Sequence, residues 1–389
     1  MTRKFGAKMC PFLLLALSPL LLAPSVEAAT ASPAAVHPTV EKIDMITGDI
    51  GWLLTQTHLW RTVDGGLRWH EVLTWSKGTY FPVAQFSGPD SALVATNVGV
   101  TANTTSLHLD ATTNGGATWI VESLGHPSSP SLGVVDSIDI EDSRNAWVLT
   151  GQNTRKGSDE PMALYHTDNA GHTWAKVIQV SYGDTRVDGI PLAGLKTEVA
   201  FQTPRLGWLV GVDKGDKVWM YRTDSGGLSW QSAEISTLPH AFHHNADASI
   251  FPEVPVFAAA TSAMLPVFFA NSGSGLCVYA TRDGGATWTL GQPIKGGQGL
   301  AVDPYDGTVI YSDAGRVLEI SVNQGASWSV ITKSAPPAPA FLTFANRRDG
   351  FLVDWDNGLW KTTDGGMDWT SVPMQFLLDA AGQKTRSLA

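Results

Sequence analysis

The chain has 389 residues, of which 43% are hydrophobic and 16% charged, and its formal net charge is −10. An acidic chain offers no basic surface to neutralise phosphates, so nucleic acid is excluded as an expected partner. The abundance of Gly (39) and Trp (15) among short apolar segments is typical of an all-β protein with many turns.

The first 28 residues have the features of a signal peptide. Three cationic residues precede an apolar stretch at positions 12–22, and the small residue Ala28 ends the segment. The stretch is too short for a comfortable membrane span, although an uncleaved anchor remains the alternative. We expect a secreted or cell-envelope protein that is cleaved near Ala28. A linker over residues 29–38 and a mature chain with no transmembrane span then follow.

A motif of the form [S/T]-x-[D/N/S]-x-G-x-x-W occurs seven times in the rest of the chain. Each copy lies between two alternating apolar segments, which is the signature of a β-hairpin. We predict that the third residue and the preceding Ser or Thr bind the amides of the turn, that Gly adopts a positive φ, and that Trp packs between strands. The predicted role is structural rather than catalytic. The third and eighth residues of the copies are Asp64 and Trp69, Asn114 and Trp119, Asn169 and Trp174, Ser225 and Trp230, Asp283 and Trp288, Asn323 and Trp328, and Asp364 and Trp369.

The spacing of the motif predicts a repeated unit of four strands. The copies recur every ~40–60 residues, which is the length of a propeller blade and leaves no room for an additional one. We therefore predict an all-β, seven-bladed β-propeller over residues 39–373. The remaining residues, 374–389, form a C-terminal tail with a potential part in ring closure.

The motif resembles the Asp-box, or BNR repeat, of sialidases, sortilin-type receptors and photosystem II assembly factors. The resemblance covers nearly the whole mature chain, and the pattern "GWLV…LWxTxDGGxxW" is most similar to the exported assembly-factor propellers. That resemblance implies a rigid, non-enzymatic platform that binds a protein or peptide partner. Because fold does not fix function, this implication is an analogy.

The lengths of the connections predict where a partner binds. In a four-stranded blade, the turns between strands 1 and 2 share a face with the motif turns, and these turns are short. The long connections lie on the opposite face, at residues 96–106, 123–133, 151–161, 181–194 and 236–252. Long loops on a rigid scaffold commonly carry binding residues, so we expect the site on that face, toward blades 2–5.

Two polar groups in these connections are candidate binding residues, although each also fits a solvated or salt-bridged loop. They are Tyr182, Asp184, Arg186 and Asp188, and His240, His243, His244 and Asp247. The histidine spacing fits no known metal motif, so we predict neither a metal site nor a cofactor.

Three further sets of residues have weaker signals. Arg155, Lys156, Asp159 and Glu160 are predicted to form a charged mobile tip, Trp75 and Tyr80 a stacking platform or packed pair, and Cys277 a buried small residue.

The enzymatic alternative is a carbohydrate-binding or glycoside-hydrolase-type propeller. Sialidases with Asp-boxes carry a Phe/Tyr-Arg-Ile-Pro motif, which is absent from this sequence. Xyloglucan-cleaving enzymes with these boxes place two carboxylates in a cleft between two propellers, whereas this chain is long enough for one propeller. Asp184, Asp188, Asp247 and Glu253 are carboxylates that such chemistry would need at separations of roughly 5–9.5 Å. A protein or peptide partner is favoured over a glycan.

Overall fold

The computed structural model describes residues 38–75, 80–101, 104–124, 134–151, 159–213, 217–236, 249–270, 275–296, 299–303, 310–314, 316–333, 335–336, 339–378 and 386–388. All regular secondary structure in these residues is β. Across the same segments, no helix has the length and apolar character needed to cross a bilayer.

The described strands form seven antiparallel sheets of mostly four strands, here called blades 1–7, each with a core of consecutive segments of the chain, and one parallel strand pair joins blades 4 and 5 edge to edge. Blade 1 consists of β1 (Val40–Met45), β2 (Gly51–Thr55), β3 (His58–Thr62) and β4 (Arg68–Thr74). Blade 2 consists of β5 (Tyr80–Phe86), β6 (Ala92–Thr101), β7 (Thr104–Thr112) and β8 (Trp119–Leu124). Blade 3 consists of β9 (Val134–Ile140), β10 (Ala146–Gly151), β11 (Met162–Thr167) and β12 (Ala175–Val180).

A short hairpin, β13 (Arg186–Val187) and β14 (Ile190–Pro191), separates blades 3 and 4. Blade 4 consists of β15 (Leu195–Phe201), β16 (Gly207–Val212), β17 (Val218–Thr223) and β18 (Gln231–Ile235). The first strand of blade 5 is divided into β19 (Ser249–Pro252) and β20 (Val256–Ala259), and β21 (Ser262–Ala270), β22 (Gly275–Thr281), β23 (Thr287–Leu290) and the short β24 (Ile294–Lys295) follow.

The last two blades repeat the four-stranded pattern, and two short strands follow them. Blade 6 consists of β25 (Gly299–Val302), β26 (Ile310–Ala314), β27 (Val317–Ser321) and β28 (Ser329–Thr332). Blade 7 consists of β29 (Pro339–Phe344), β30 (Gly350–Asp354), β31 (Leu359–Thr362) and β32 (Thr370–Val372). The two short strands after blade 7 are β33 (Gln375–Leu377) and β34 (Arg386–Leu388).

Aromatic side chains join neighbouring blades. Trp147 of blade 3 stacks on Phe201 of blade 4, with ring centroids 3.8 Å apart, and Tyr311 of blade 6 stacks on Phe344 of blade 7 at 3.7 Å. Each pair joins a residue of strand 2 to the last residue of the first strand in the next blade. Burying such a ring stabilises the fold by roughly 2–3 kcal/mol, so the aromatic residues hold consecutive sheets together.

The ring closes between blades 7 and 1. The Val40 amide donates to Asn357 Oδ1 at 3.0 Å, and Lys361 Nζ donates to the Gly48 carbonyl at 2.9 Å. One apolar cluster spans the same seam and includes Trp60, Trp69 and Phe351. A closed ring of four-stranded sheets is a β-propeller, so the predicted fold is confirmed, and the number of described sheets agrees with the seven blades predicted.

The motif turn has the same hydrogen bonds in every copy. In blade 7, Thr362 Oγ1 accepts from the Gly366 amide at 2.9 Å and donates to Asp364 Oδ1 at 2.8 Å. The Asp364 carboxylate accepts from the Asp368 amide at 3.1 Å. The hydroxyls of the other copies, which bind in the same way, belong to Thr62, Thr112, Thr167, Thr223, Thr281 and Ser321. All seven first residues are buried, so this hydroxyl is an internal part of the turn.

The fourth and fifth motif residues both have positive φ. Five copies place Gly at the fourth position, and the other two place Ala170 (φ 59°) and Gln324 (φ 60°) there. The predicted positive φ at the fifth position, which is Gly in every copy, is confirmed. Gly is favoured at both positions because it alone adopts this conformation without steric cost.

The motif turns and the short turns between strands 1 and 2 lie on one face, which we call the motif face. The amide of the fourth motif residue donates to a carbonyl of the short turn in blades 1–5 and 7, as Gly65 does to Asp49 and Gly365 to Arg348, both at 2.9 Å. The described ends of the longer connections therefore lie on the opposite face, called the crossover face here, as predicted.

One predicted long loop is mostly strand. Residues 96–106 were expected to form a loop, but β6 continues to Thr101 and β7 begins at Thr104, and Asn97 pairs with Leu107. Polar and apolar residues alternate in this segment, as is typical of a strand, so the two strands continue as a hairpin beyond the rest of the blade.

Candidate functional site

The connection from blade 3 to blade 4 is ordered and folds down along blade 4. The amide of Trp230 donates to the Asp188 carbonyl at 2.8 Å, and Gly189 (φ 98°) lies directly against the Trp230 backbone. Ile190 and Leu192 join Trp230 in the apolar cluster between the two blades. The connection is therefore part of the packed structure rather than a loose loop.

The four predicted binding residues of this connection have mainly local partners. Asp184 Oδ2 accepts from the Ser181 amide at 2.8 Å, so it caps its own turn, and Tyr182 packs on the apolar cluster. Arg186 is exposed, donates to the Gly189 carbonyl at 2.6 Å and lies 6.0 Å from the Tyr221 ring. Asp188 is exposed at the hairpin turn. His240, His243, His244 and Asp247 lie outside the described residues.

A buried lysine fixes the base of the connection. Lys196 Nζ lies within hydrogen-bond distance of four carbonyl oxygens, those of Glu160, Leu192, Ala193 and Gly194, at 2.6–3.2 Å. Glu160 Oε2 accepts from the Lys196 amide at 2.9 Å. Burial lowers the pKa of Lys196 to about 8, while Glu160 and Asp159 act in the opposite direction.

The predicted charged tip is wrong at Glu160 and Asp159. Glu160 is buried, and its carboxylate accepts a hydrogen bond from the buried amide of Lys196. Asp159 forms a β-bridge with Ala193. Arg155 and Lys156 lie outside the described residues. The segment is thus partly an anchor of the blade 3–4 seam.

Two other predicted residues have internal roles. Trp75 is half-buried, and its Nε1 donates to the Gln56 carbonyl at 2.7 Å, which fits packing better than an open platform. Cys277 is buried, as predicted, and burial raises its pKa to about 12, so the thiol stays protonated and unreactive.

Carboxylates line the axis of the ring, where the first strands of neighbouring blades contact one another. Asp44 lies on β1, Asp136 and Asp139 on β9, Glu198 on β15, and Glu253 directly after β19. Asp136 lies near the end of its strand that faces the crossover connections, Glu198 lies in the middle of its strand, and Asp44 and Asp139 lie toward the motif face. Acidic side chains therefore occur along the axis from the crossover side to the motif side.

The protein environment raises the pKa of three of these carboxyl groups. Burial raises the pKa of Asp139 to about 7, against the hydrogen bond from the Phe201 amide at 2.7 Å. Burial raises the pKa of Glu198 well above its usual value, and the nearby carboxylates of Glu253 and Asp136 add to the effect, while Ser137 and Lys42 oppose it. Burial also raises the pKa of Asp44. Each of the three therefore retains a proton at higher pH than an exposed carboxyl group.

A cavity of about 430 Å³ opens on one side of the axis. Residues of β1, β5, β25 and β29 line it, including Lys42, Asp44, Phe86 and Thr343. Lys42 Nζ donates to the Ala84 carbonyl at 2.9 Å, and Thr343 Oγ1 donates to Asp44 at 3.3 Å. Among the described residues, no group of three His, Cys, Asp or Glu side chains has the arrangement of a metal site.

Most of these axial carboxylates were missed by the sequence analysis, which selected only Glu253 among them. A usable signal was present in polar residues within the first strand of three blades: "VEKIDM", "VVDSIDI" and "LKTEVAF". A strand buried on both faces is normally apolar, so interior acids and lysines there indicate a polar axis.

The comparisons with known proteins identify the fold and not a family. No family model and no curated protein matches the chain. Solved structures with a similar fold include YCF48 bound to D1 peptide, at 16% identity and a TM-score of 0.51 over 84% of this chain and 92% of that one. They also include a fucose-specific lectin from Aleuria aurantia, at 13% identity and a TM-score of 0.44 over 84% and 91% of the two chains. The GH74 xyloglucanase from Xanthomonas campestris has 14% identity and a TM-score of 0.36 over 84% and 63%. The protein is thus a β-propeller.

Proposed function

We propose that the protein is a non-enzymatic, extracytoplasmic binding platform that recognises a protein or peptide through its crossover face. The similarly folded YCF48 has a bound D1 peptide, and the motif and single-ring length resemble exported assembly-factor propellers. On this proposal the motif face is the structural base, since its turns are short and mutually hydrogen-bonded.

The observation that carries the proposal is the acidic axis beside an ordered crossover connection. Glu198 is half-buried on the first strand of blade 4, and the neighbouring Glu253 and Asp136 carboxylates repel its ionised form. A cationic side chain from a partner relieves that repulsion, because an opposite charge favours the ionised carboxylates. We therefore propose a partner segment that inserts a Lys or Arg at the axis.

The test is peptide binding to the full chain. We expect short Lys- or Arg-containing peptides to bind more tightly than the same peptides with Gln in place of the cation, and more tightly at pH 8 than at pH 5. The Glu198→Gln/Glu253→Gln variant should lose about tenfold in affinity, equivalent to about 1.4 kcal/mol. Asp368→Asn, on the motif face, is the matched control. Equal affinity of the double variant and the parent chain would refute cation recognition at the axis.

A second candidate function is glycoside hydrolysis, which one observation favours. A carboxyl group with a raised pKa beside a second carboxylate, as in Glu198 and Glu253, is the electrostatic arrangement of a general acid and its partner. Chromogenic glycosides and a glycan array test it directly. Turnover that Glu198→Gln abolishes would favour the enzyme, whereas glycan binding without turnover would indicate a lectin-type platform.

Export is tested on the native protein. We propose cleavage near Ala28, because the segment before it has the charge and apolar pattern of a signal peptide. The mass and N-terminal sequence of the envelope fraction should show a chain that begins close to position 29. Recovery of a chain that retains residues 1–28 would contradict this.

A further inference from the structure

The chain after blade 7 crosses to blade 1 as an added strand. β33 pairs in parallel with β4, in the register Gln375 to Arg68, Phe376 to Trp69 and Leu377 to His70. The Gln375 amide donates to the Leu67 carbonyl at 2.9 Å. β34 then pairs in parallel with β8 of blade 2. The C-terminal segment therefore spans the seam where the ring closes.

In the part of the chain that the structure describes, parallel pairing of this kind occurs at the motif tryptophan in three places. Besides Phe376 at Trp69, Arg386 pairs with Trp119, and Ile235 of β18 pairs with Trp288 of β23. The fourth strand of these blades, as it leaves the motif turn, thus presents a backbone edge that accepts a parallel strand. An extended segment adds to this edge by strand addition, a common mode of peptide recognition.

The side chains of the C-terminal segment alternate between the blade and solvent. Met374 and Phe376 pack on the apolar cluster of the blade 7–1 seam, and the Phe376 ring lies 4.9 Å from Trp60 in an edge contact. Gln375 and Leu377 are exposed, and Leu378 is 67% exposed. The edge of blade 1 therefore selects an apolar residue at every second position.

We propose that the outer edge of blade 1 at Trp69 is a docking site for an extended segment with alternating apolar residues, and that the C-terminal segment occupies this site reversibly. Among the described residues, the pairing with blade 1 involves three residues, which is a small interface for a permanent strand. A partner segment with the same pattern takes the place of the chain's own segment. This site lies on the outer rim and is independent of the proposed axial function.

The tether determines when the site is open. Residues 373–374 join β32 to β33, and a short linker gives its segment an effective concentration in the millimolar range. A weakly binding segment then keeps the site mostly closed in the intact chain. A free peptide of the same sequence competes poorly unless the tethered copy is weakened.

The experiment uses a labelled peptide of residues 372–380 and the full-length chain. We expect the Phe376→Ser variant to bind the peptide at least about tenfold more tightly than the intact chain, because its own segment no longer fills the site. Leu378→Ser, which changes an exposed residue of the same segment, should behave like the intact chain. A peptide with Ser in place of the Phe should not bind the variant.

Hydrogen exchange of the intact chain provides a second measurement. If the segment detaches, the amides of β33 and their partners in β4 exchange faster than those of β3, and excess peptide slows exchange in β4. Failure of Phe376→Ser to gain peptide affinity would overturn the proposal. Exchange in β33 as slow as in β3 would also overturn it, because the strand would then be a fixed part of blade 1.

Discussion

At the scale of single residues, the first position of the motif matters more than its sequence pattern indicates. The hydroxyl of each Ser or Thr is buried and binds both the amide of the fifth residue and the side chain of the third. Both side chains were predicted to bind amides of the turn, but the burial of the hydroxyl was not predicted. The structure shows that the two side chains act together, since one supports the other from inside the turn.

Thr362→Val and Thr363→Val form a matched pair, because Thr362 is buried and Thr363 next to it is exposed. Thr362→Val leaves the Gly366 amide without its acceptor, and an unsatisfied buried donor costs about 1–3 kcal/mol. We expect the free energy of unfolding, measured with denaturant, to fall by that amount for Thr362→Val and by less than about 0.5 kcal/mol for Thr363→Val. Equal losses in the two variants would contradict the role of the hydroxyl.

Ala170→Gly should stabilise the protein. Ala170 has a φ of 59°, and a non-glycine residue in this region carries a cost of roughly 1–2 kcal/mol that Gly avoids. Part of the gain is offset by the greater freedom of Gly in the unfolded chain. Gln324→Gly is the contrasting variant, because Gln324 Nε2 also donates to Ser262 Oγ at 2.8 Å between blades 6 and 5. Thermal unfolding should show a higher Tm for Ala170→Gly and no increase for Gln324→Gly.

At the scale of elements, the hairpin of β13 and β14 shows how a connection becomes structure. Its turn, Asp188–Gly189, has positive φ at both residues, which is the geometry that Asp-Gly sequences favour in two-residue hairpins. The turn docks on the backbone of Trp230, and Lys196 holds the far end of the connection. Two separate contacts therefore order this segment, although its composition predicts a polar loop.

Gly189→Ala and Gly183→Ala separate backbone strain from docking. Both glycines have φ near 100°, but a Cβ at Gly189 would lie 1.9 Å from the Trp230 carbonyl oxygen, whereas a Cβ at Gly183 meets nothing within 4 Å. We expect Gly183→Ala to cost about 1–2 kcal/mol. Gly189→Ala should cost about 1–3 kcal/mol more, because the hairpin must move away from blade 4. Chemical denaturation of both variants measures the difference, and equal costs would mean that the hairpin is not docked in solution.

At the scale of the whole molecule, the buried axial acids make stability depend on pH. The pKa of Asp139 is raised to about 7 from an ordinary value of 3.8. The contribution of a group with a raised pKa is fully present below the unfolded value and is lost as the pH rises through the folded value. The Asp139 contribution should therefore decline between pH 4 and 7, with a total change on the order of 4 kcal/mol.

Asp139→Asn tests this dependence. The amide oxygen can still accept from the Phe201 amide, but the variant has no charge to bury. We expect its stability relative to the parent chain to rise steadily from pH 4 to pH 7 and to level off above pH 8. Asp283→Asn is the opposite control: hydrogen bonds led by that from Thr287 lower the pKa of Asp283 to about 2, so its contribution is lost only as the pH falls below 4. A pH-independent difference for Asp139→Asn would show that the carboxyl is ionised throughout.

The sequence by itself determined the local and repeated features of this protein. Turn chemistry, glycine conformation and strand alternation act over a few residues, so seven similar segments predict seven similar sheets and place the short turns on one face. Only the tertiary structure decided what lies at the axis and along the rim. Strands that are distant in the sequence bury the side chains of Asp139, Glu198 and Lys196. β33 pairs with β4 only because the ring closes. Local sequence does not indicate which distant residues will become neighbours in the fold, which is why most of the axial acids and the pairing of the C-terminal strand were not predicted.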